Sequence, residues 1–139
     1  MNLVLANEMA ELARLNEALA RFADEEGLTE RDRYELTLVL EELFTNIVSY
    51  AFDRPAREVI EIGVERRGDV VLVYVADPGR PFDPRSVPPA NVTADVEHRQ
   101  IGGLGIHLVR QLTRGLAYER HAGINHLRFH KPIRQADED

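Results

Sequence analysis

The sequence contains no cysteine, which removes disulfides, thiolate metal sites and cysteine nucleophiles from consideration. No stretch approaches the roughly eighteen apolar residues that a membrane-spanning helix needs. The first residues, Met1-Asn2-Leu3-Val4-Leu5, lack the basic start and long apolar core of a secretory signal. A cytoplasmic protein without membrane contact is therefore expected. Basic residues are also in deficit: 17 Lys and Arg against 24 Asp and Glu give a formal charge of -7. That is the wrong sign for a footprint on nucleic-acid phosphates, so no direct nucleic-acid partner is expected. Internal repeats and low-complexity linkers are missing too.

What remains is ordinary for a globular chain. Its 139 residues, 44% hydrophobic and 29% charged, suit one domain with a buried core. The expected division is a folded domain over 1–132 and an acidic solvated tail over 133–139. Leu3 to Leu5 reads as a first strand. From Asn7 to Glu26, Met9, Leu12, Leu15, Leu19 and Phe22 recur at helical spacing up to Gly27. Thr29, with Asp32 three residues on, resembles a helix cap, and the second helix should run to about Phe52.

Val59 to Glu65 and Val70 to Val75 flank the turn Arg67-Gly68-Asp69 and read as an antiparallel hairpin. The second of these strands is apolar on both faces, which places it centrally. Asp77 to Gln100 holds five prolines and little periodicity, as expected of a long functional loop. Helical spacing returns from Leu104 to Leu116. Leu116 to Glu119 and Ile124 to Lys131 then close as a hairpin around Ala122-Gly123. This order of elements suggests an α+β fold, a two-layer sandwich of a mixed, mainly antiparallel sheet with helices on one face.

Three short segments carry chemistry. On the second helix, Leu36, Leu40, Leu43, Ile47 and Tyr50 share one face, while Glu35, Glu42, Asn46, Ser49 and Asp53 line a neighbouring one. A solvated face would produce the same pattern. Asn and Ser are poor mid-helix residues, however, and Asn46 has no capping role there. Its amide oxygen suits Mg²⁺, which takes oxygen ligands and shares its shell with water and phosphate. Glu42, one turn earlier, could reach a hydroxyl beside a terminal phosphate.

Asp77-Pro78-Gly79 follows a buried strand. A plain turn uses these residues, but a carboxylate at a strand end can also accept from an amino group on a base, with Gly79 letting the backbone lie against the ring. Finally, Gly102, Gly103 and Gly105 precede an apolar helix, where unobstructed amides make a phosphate site. A local site of this kind can hold a triphosphate despite the global charge. No Gly-Lys-Ser or Gly-Lys-Thr follows, which excludes a Walker loop. His98, His107, His121, His126 and His130 lack zinc spacing. Asn125 shares strand parity with Leu127 and Phe129, so it should face the covered side, where a bound base or water could satisfy it.

Taken in order, these segments resemble the ATP-binding domain of the GHKL superfamily, and most closely the bacterial anti-sigma factor serine kinases. The resemblance covers Leu12 to Phe129. Glu42 to Asn46 looks like the N box, Asp77-x-Gly79 the first glycine box and Gly103-Leu104-Gly105 the second. It implies a Bergerat-type ATP-binding fold that takes ATP or ADP with Mg²⁺. Asn46 would hold the metal. Asp77, Gly79, Phe82, Gly102, Gly103, Leu104, Gly105, Ile106 and Asn125 would bind nucleotide, and Glu42 would act as general base toward a serine. Implied partners are a sigma factor and a phosphorylated anti-anti-sigma protein of the STAS type, with Arg14 at the partner surface and a homodimer as assembly. The sequence departs from the pattern at Pro81 and Tyr50. A nucleotide-controlled binding module without kinase activity is the alternative.

Overall fold

The structure is a computed structural model and describes residues 1–51, 58–86 and 103–134. The elements are β1 (Asn2–Ala6), α1 (Leu12–Glu26), α2 (Glu30–Tyr50), β2 (Val59–Arg67), β3 (Val70–Asp77), α3 (Gly103–Leu112), β4 (Arg114–His121) and β5 (Ile124–Pro132), with short 3₁₀ turns at Met9–Glu11 and Pro84–Ser86. The five strands lie in the order β1-β2-β3-β5-β4. Every pairing is antiparallel, so the mixed component expected of the sheet is absent among the described residues. The α+β sandwich itself is as expected.

Alternation along the strands sends Ile60, Ile62 and Val64, then Val71, Val73 and Val75, then Leu127 and Phe129 to one face, where all are buried. They meet Leu15, Leu19 and Phe22 of α1, Leu36, Leu40, Phe44 and Ile47 of α2, and Ile106 and Val109 of α3. β3 occupies the middle of the sheet, as its apolar character on both parities predicts. α2 touches both other helices, so more of its circumference is covered than one amphipathic face provides: Val39 and Phe44 are buried as well. Tyr50, assigned to the apolar face, is instead 43% exposed at the helix end.

Local chemistry sets the element boundaries. α1 stops at Gly27, which takes φ 63° and returns its N–H to Ala23, the left-handed stop glycine permits. Thr29 caps α2, its hydroxyl oxygen accepting the Asp32 N–H at 3.1 Å. α3 ends at Leu112 rather than Leu116. Thr113 donates its hydroxyl to Val109 O at 2.6 Å, and Gly115 at φ 67° sits where the first residues of β4 break register with β5. The β4–β5 turn places Ala122 and Gly123 at φ 53° and 80°, the left-handed pair that a two-residue hairpin turn requires. Among the described residues no helix is long and apolar enough to cross a membrane. The end of the expected second helix at Phe52, Asp53, His98 and most of the long loop lie outside the described residues, as does 135–139 of the tail.

The sequence's sole lysine is buried. Lys131 points inward from β5 with only 5% of its side chain exposed, and its Nζ lies 3.7 Å from Asp32 and 3.6 Å from Glu35 of α2. Asp32 also accepts the Arg134 N–H at 2.6 Å. This cluster fastens the end of the sheet to the start of α2. Removing one member of a buried ion pair strands the other, at a typical cost of about 3 kcal/mol. Lys131→Ala should therefore lower the urea midpoint by a corresponding amount, and Lys131→Met combined with Asp32→Asn should recover most of the loss in the same assay.

Candidate functional site

The polar stripe of α2 divides between two tasks. Its first member, Glu35, faces Lys131. Its later members, Asn46 and Ser49, line a cleft of about 490 Å³ whose other walls include Asp77 and Asn125 from the sheet and Phe82 and Pro84 from the segment after β3. That volume is in the range of small-molecule sites. Beyond Phe82, the Arg85 guanidinium forks onto Asp83 at 2.8 and 3.0 Å and holds the Asp83 carboxyl below the usual range.

Asp77 is the last residue of β3 and 7% exposed. Its Oδ2 accepts the Gly79 N–H at 2.9 Å and the Asn125 amide at 3.3 Å. Gly79 has no room for a side chain, because a Cβ there would sit 2.8 Å from both Ala51 O and Asp77 Oδ2. The Arg80 N–H donates to Ala51 O at 2.8 Å, satisfying a carbonyl at the end of α2. Close approach to a flat base was the expected reason for glycine at this position. Crowding by the protein's own helix is a second and independent one.

Asn125 lies opposite Asp77 in the β3–β5 register and is 5% exposed, on the covered side as its parity predicts. Its polar atoms, however, are occupied by protein rather than left for a base or water. Nδ2 donates to Arg80 O at 2.9 Å as well as to Asp77. Oδ1 accepts from the Tyr118 hydroxyl at 2.5 Å and from Arg120 Nη1 at 3.0 Å. Arg120 also donates to Gly79 O at 2.8 Å. Neither Tyr118 nor Arg120 stands out in the sequence by residue type. The signal was the register: a two-residue turn at Ala122-Gly123 pairs His121 with Ile124 and so sets Arg120 opposite Asn125.

Glu42 and Gly105 touch. A Cβ on Gly105 would lie 2.8 Å from the Glu42 carboxyl carbon and would overlap its Oε2, so glycine is what lets the start of α3 close on this carboxylate. Gly103, Leu104 and Gly105 form the first turn of α3, where amides have no acceptor within the helix. Ile106, the next residue of α3, turns its side chain away from any ligand. That side chain is 1% exposed in the core, which leaves only its backbone to a ligand. Gly102 lies outside the described residues. Arg14 is away from the cleft, on α1, paired with Glu11 at 2.8 Å and donating to Val4 O at 3.2 Å.

Among the described residues, no cluster of three or more His, Asp or Glu could hold a metal by itself. Asn46, with Glu42 one turn before it, supplies one or two oxygen donors. Such a partial set suits a hard cation that completes its shell with water and phosphate oxygens, as Mg²⁺ does, and does not suit zinc.

A profile of histidine kinase-like ATPase domains matches residues 5–131. Serine/threonine-protein kinase BtrW of Bordetella bronchiseptica is 33% identical over 97 residues, which are 70% of this chain and 68% of that protein. Serine-protein kinase RsbW of Bacillus cereus is 31% identical over 99 residues, 68% of this chain and 61% of that kinase. In structure, the RsbU and RsbW domains of a Mycobacterium tuberculosis protein superpose with TM-score 0.66 at 14% identity, over 98% of this chain but 33% of that one. The blue-light activated histidine kinase of Erythrobacter litoralis does so with TM-score 0.57 at 20% identity, over 92% of this chain and 42% of the other. At these identities the structural likeness is one of fold.

Burial pushes the Asp77 carboxyl above the ordinary aspartate range, against the opposing pull of the Gly79 N–H, the Asn125 amide and Arg120. A carboxyl whose folded value is raised favours the folded state below its unfolded value, near 3.8, and loses that contribution as pH rises through the folded value. Ionised Asp77 thus costs stability at neutral pH. Asp77→Asn keeps an oxygen for both donors, so its melting temperature at pH 7 should equal or exceed that of the parent, with the gain gone below about pH 4, as checked by thermal unfolding across pH.

Proposed function

The chain belongs to the histidine kinase-like ATPase domain family, and on that premise we propose that it is an ATP- and Mg²⁺-dependent protein serine kinase of the anti-sigma factor type. One observation supports this above the others: Asn46 and Asp77 stand on the walls of one cleft, while Glu42, one turn from Asn46, packs against the start of α3. Adenine sits in the cleft with its amino group donating to Asp77. The phosphates run toward the amides of Gly103, Leu104, Gly105 and Ile106, where the helix N-terminus favours negative charge. Asn46 would hold Mg²⁺, which would supply charge neutralisation at the phosphate oxygens.

Phosphoryl transfer asks mainly for positioning and charge stabilisation. A serine hydroxyl of the protein substrate approaches the terminal phosphorus in line with the bond to the leaving oxygen. Glu42 accepts the hydroxyl proton as the new O–P bond forms, and ADP departs with the electrons of the bond that breaks. The proposed substrate is an anti-anti-sigma protein and the proposed sequestered partner a sigma factor, with the whole acting in the cytoplasm. The expected boundary at 132 moves outward, because Ile133 is buried in the core and the Arg134 N–H bonds to Asp32; the solvated tail is proposed to follow them.

Arg14 belongs to the proposed partner surface. Its side chain is 53% exposed, and Val4 and Met9, near it in the chain, are 53% and 45% exposed. A guanidinium beside exposed apolar side chains is the composition typical of interface anchors.

With labelled ATP and a cognate anti-anti-sigma domain, Glu42→Ala should slow serine labelling by about 10²- to 10⁴-fold while ADP affinity by calorimetry stays within a few-fold. Equal labelling by the variant would remove Glu42 from this role, and partner binding that depends on nucleotide without any labelling by the parent would make the protein a binding module instead. Arg14→Ala should weaken capture of the protein partner by roughly tenfold or more and leave ADP affinity unchanged, as measured by surface plasmon resonance and calorimetry.

A further inference from the structure

The Asn125 side chain could sit in its pocket in either of two amide orientations, and its neighbours allow only one. On one side lie three acceptors: Asp77 Oδ2 at 3.3 Å, Gly79 O at 3.4 Å and Arg80 O at 2.9 Å from Nδ2. On the other side two donors from β4, the Tyr118 hydroxyl and Arg120 Nη1, converge on Oδ1. The amide is saturated, with its oxygen toward β4 and its nitrogen toward the corner after β3. Arg120 adds a second bond to Gly79 O, so one guanidinium ties together the amide and the corner that the amide holds.

The consequence falls on Asp77. Its Oδ2 is committed to Gly79 and Asn125, and among the described residues Oδ1 accepts no hydrogen bond. We propose that Tyr118 and Arg120 are positioning residues which, by fixing the Asn125 amide, leave Asp77 Oδ1 as the carboxylate acceptor offered to the base and so set a preference for a 6-amino over a 6-oxo purine. This rests on the reading of the cleft as an adenine nucleotide site and names two residues that act through a third.

The physical argument concerns what an ionised carboxylate oxygen can face. A 6-amino group donates to it. A 6-oxo group sets lone pair against lone pair, at a cost that is large where water is excluded. Discrimination therefore lasts only while Asp77 stays charged and fixed. Burial works against the charge, and Gly79, Asn125 and Arg120 support it. The groups that face the carboxylate or line the cleft beside it are Tyr118 and Arg120 from β4, Asn125 from β5, Arg80 after the corner and Tyr50 from α2. Removing the two β4 donors leaves a buried amide oxygen without partners. It also loosens the grip on Oδ2 and takes away the cation that helps hold Asp77 ionised.

The test compares ADP with inosine diphosphate, which differs in carrying the 6-oxo group, by calorimetry with Mg²⁺ on the full chain. The parent should favour ADP. In Tyr118→Phe combined with Arg120→Met, the ratio of the two dissociation constants should fall by roughly tenfold, and acid loss of ADP binding should begin at higher pH than in the parent. Arg120→Lys keeps the cation but cannot bridge both acceptors, so it should restore the pH profile more fully than the ratio. Should the double variant fold poorly by circular dichroism, Tyr118→Phe alone removes one hydroxyl and should move the ratio in the same direction. An unchanged ratio, whether or not both affinities drop together, would overturn the proposal and reduce these residues to general support. A parent that binds neither nucleotide would instead sink the adenine reading on which it stands.

Discussion

The site depends on one constraint, a buried carboxylate at the end of a central strand. An aspartate so placed needs donors for the oxygen that faces protein, and the fold brings them from separate elements. Gly79 supplies a backbone N–H and β5 supplies the Asn125 amide. β4 supplies the hydroxyl and guanidinium that orient that amide. The end of α2 closes the corner through Ala51, which accepts from Arg80 and leaves Gly79 no space for a side chain. Four elements thus converge at the carboxylate proposed as the acceptor for a ligand. Hydrogen bonds and the nearby Arg120 cation offset part of the cost of burying the charge.

α2 transmits this arrangement along the domain. Its first turns are held to the far end of β5 by Lys131, Asp32 and Glu35, and Ala51, which follows its last turn, is held to the Asp77 corner. Between these anchors its apolar residues pack on the sheet and the neighbouring helices. A helix fixed at both ends presents Glu42 and Asn46 at a set height above the sheet. For chemistry that relies on positioning, that rigidity is the helix's main contribution. Gly105 completes it by letting α3 approach Glu42 without a side chain between them.

Much of this was legible in the residues. Period-two alternation identified the covered faces of β2, β3 and β5, and period-four spacing identified the helices, because each element must bury its apolar side to exist at all. The α3 boundary was misplaced because Leu116 continues the helical spacing by chance, while the Thr113 hydroxyl and Gly115 in the left-handed region end the helix earlier. Ile106 reads as a site residue for its place beside the glycines, and helical geometry turns its side chain into the core, which leaves its backbone for that role. Asn125 read as a residue awaiting a ligand. Its partners Tyr118 and Arg120 are ordinary strand residues whose importance comes from the hairpin register alone.

The sequence by itself determined the element types, the central position of β3 and the family, and it marked candidate residues whose chemistry would suit a metal, a base and a phosphate. Each of these follows from local patterning or from the donors and acceptors that a side chain carries. Tertiary structure alone decided which polar residues are spent on each other and which face the cleft. It divided one stripe on α2 between a buried lysine and the site, and it occupied the Asn125 amide with β4. Hydrogen bonds are satisfied by whatever lies within about 3 Å, and a single sequence does not say which distant residues arrive there.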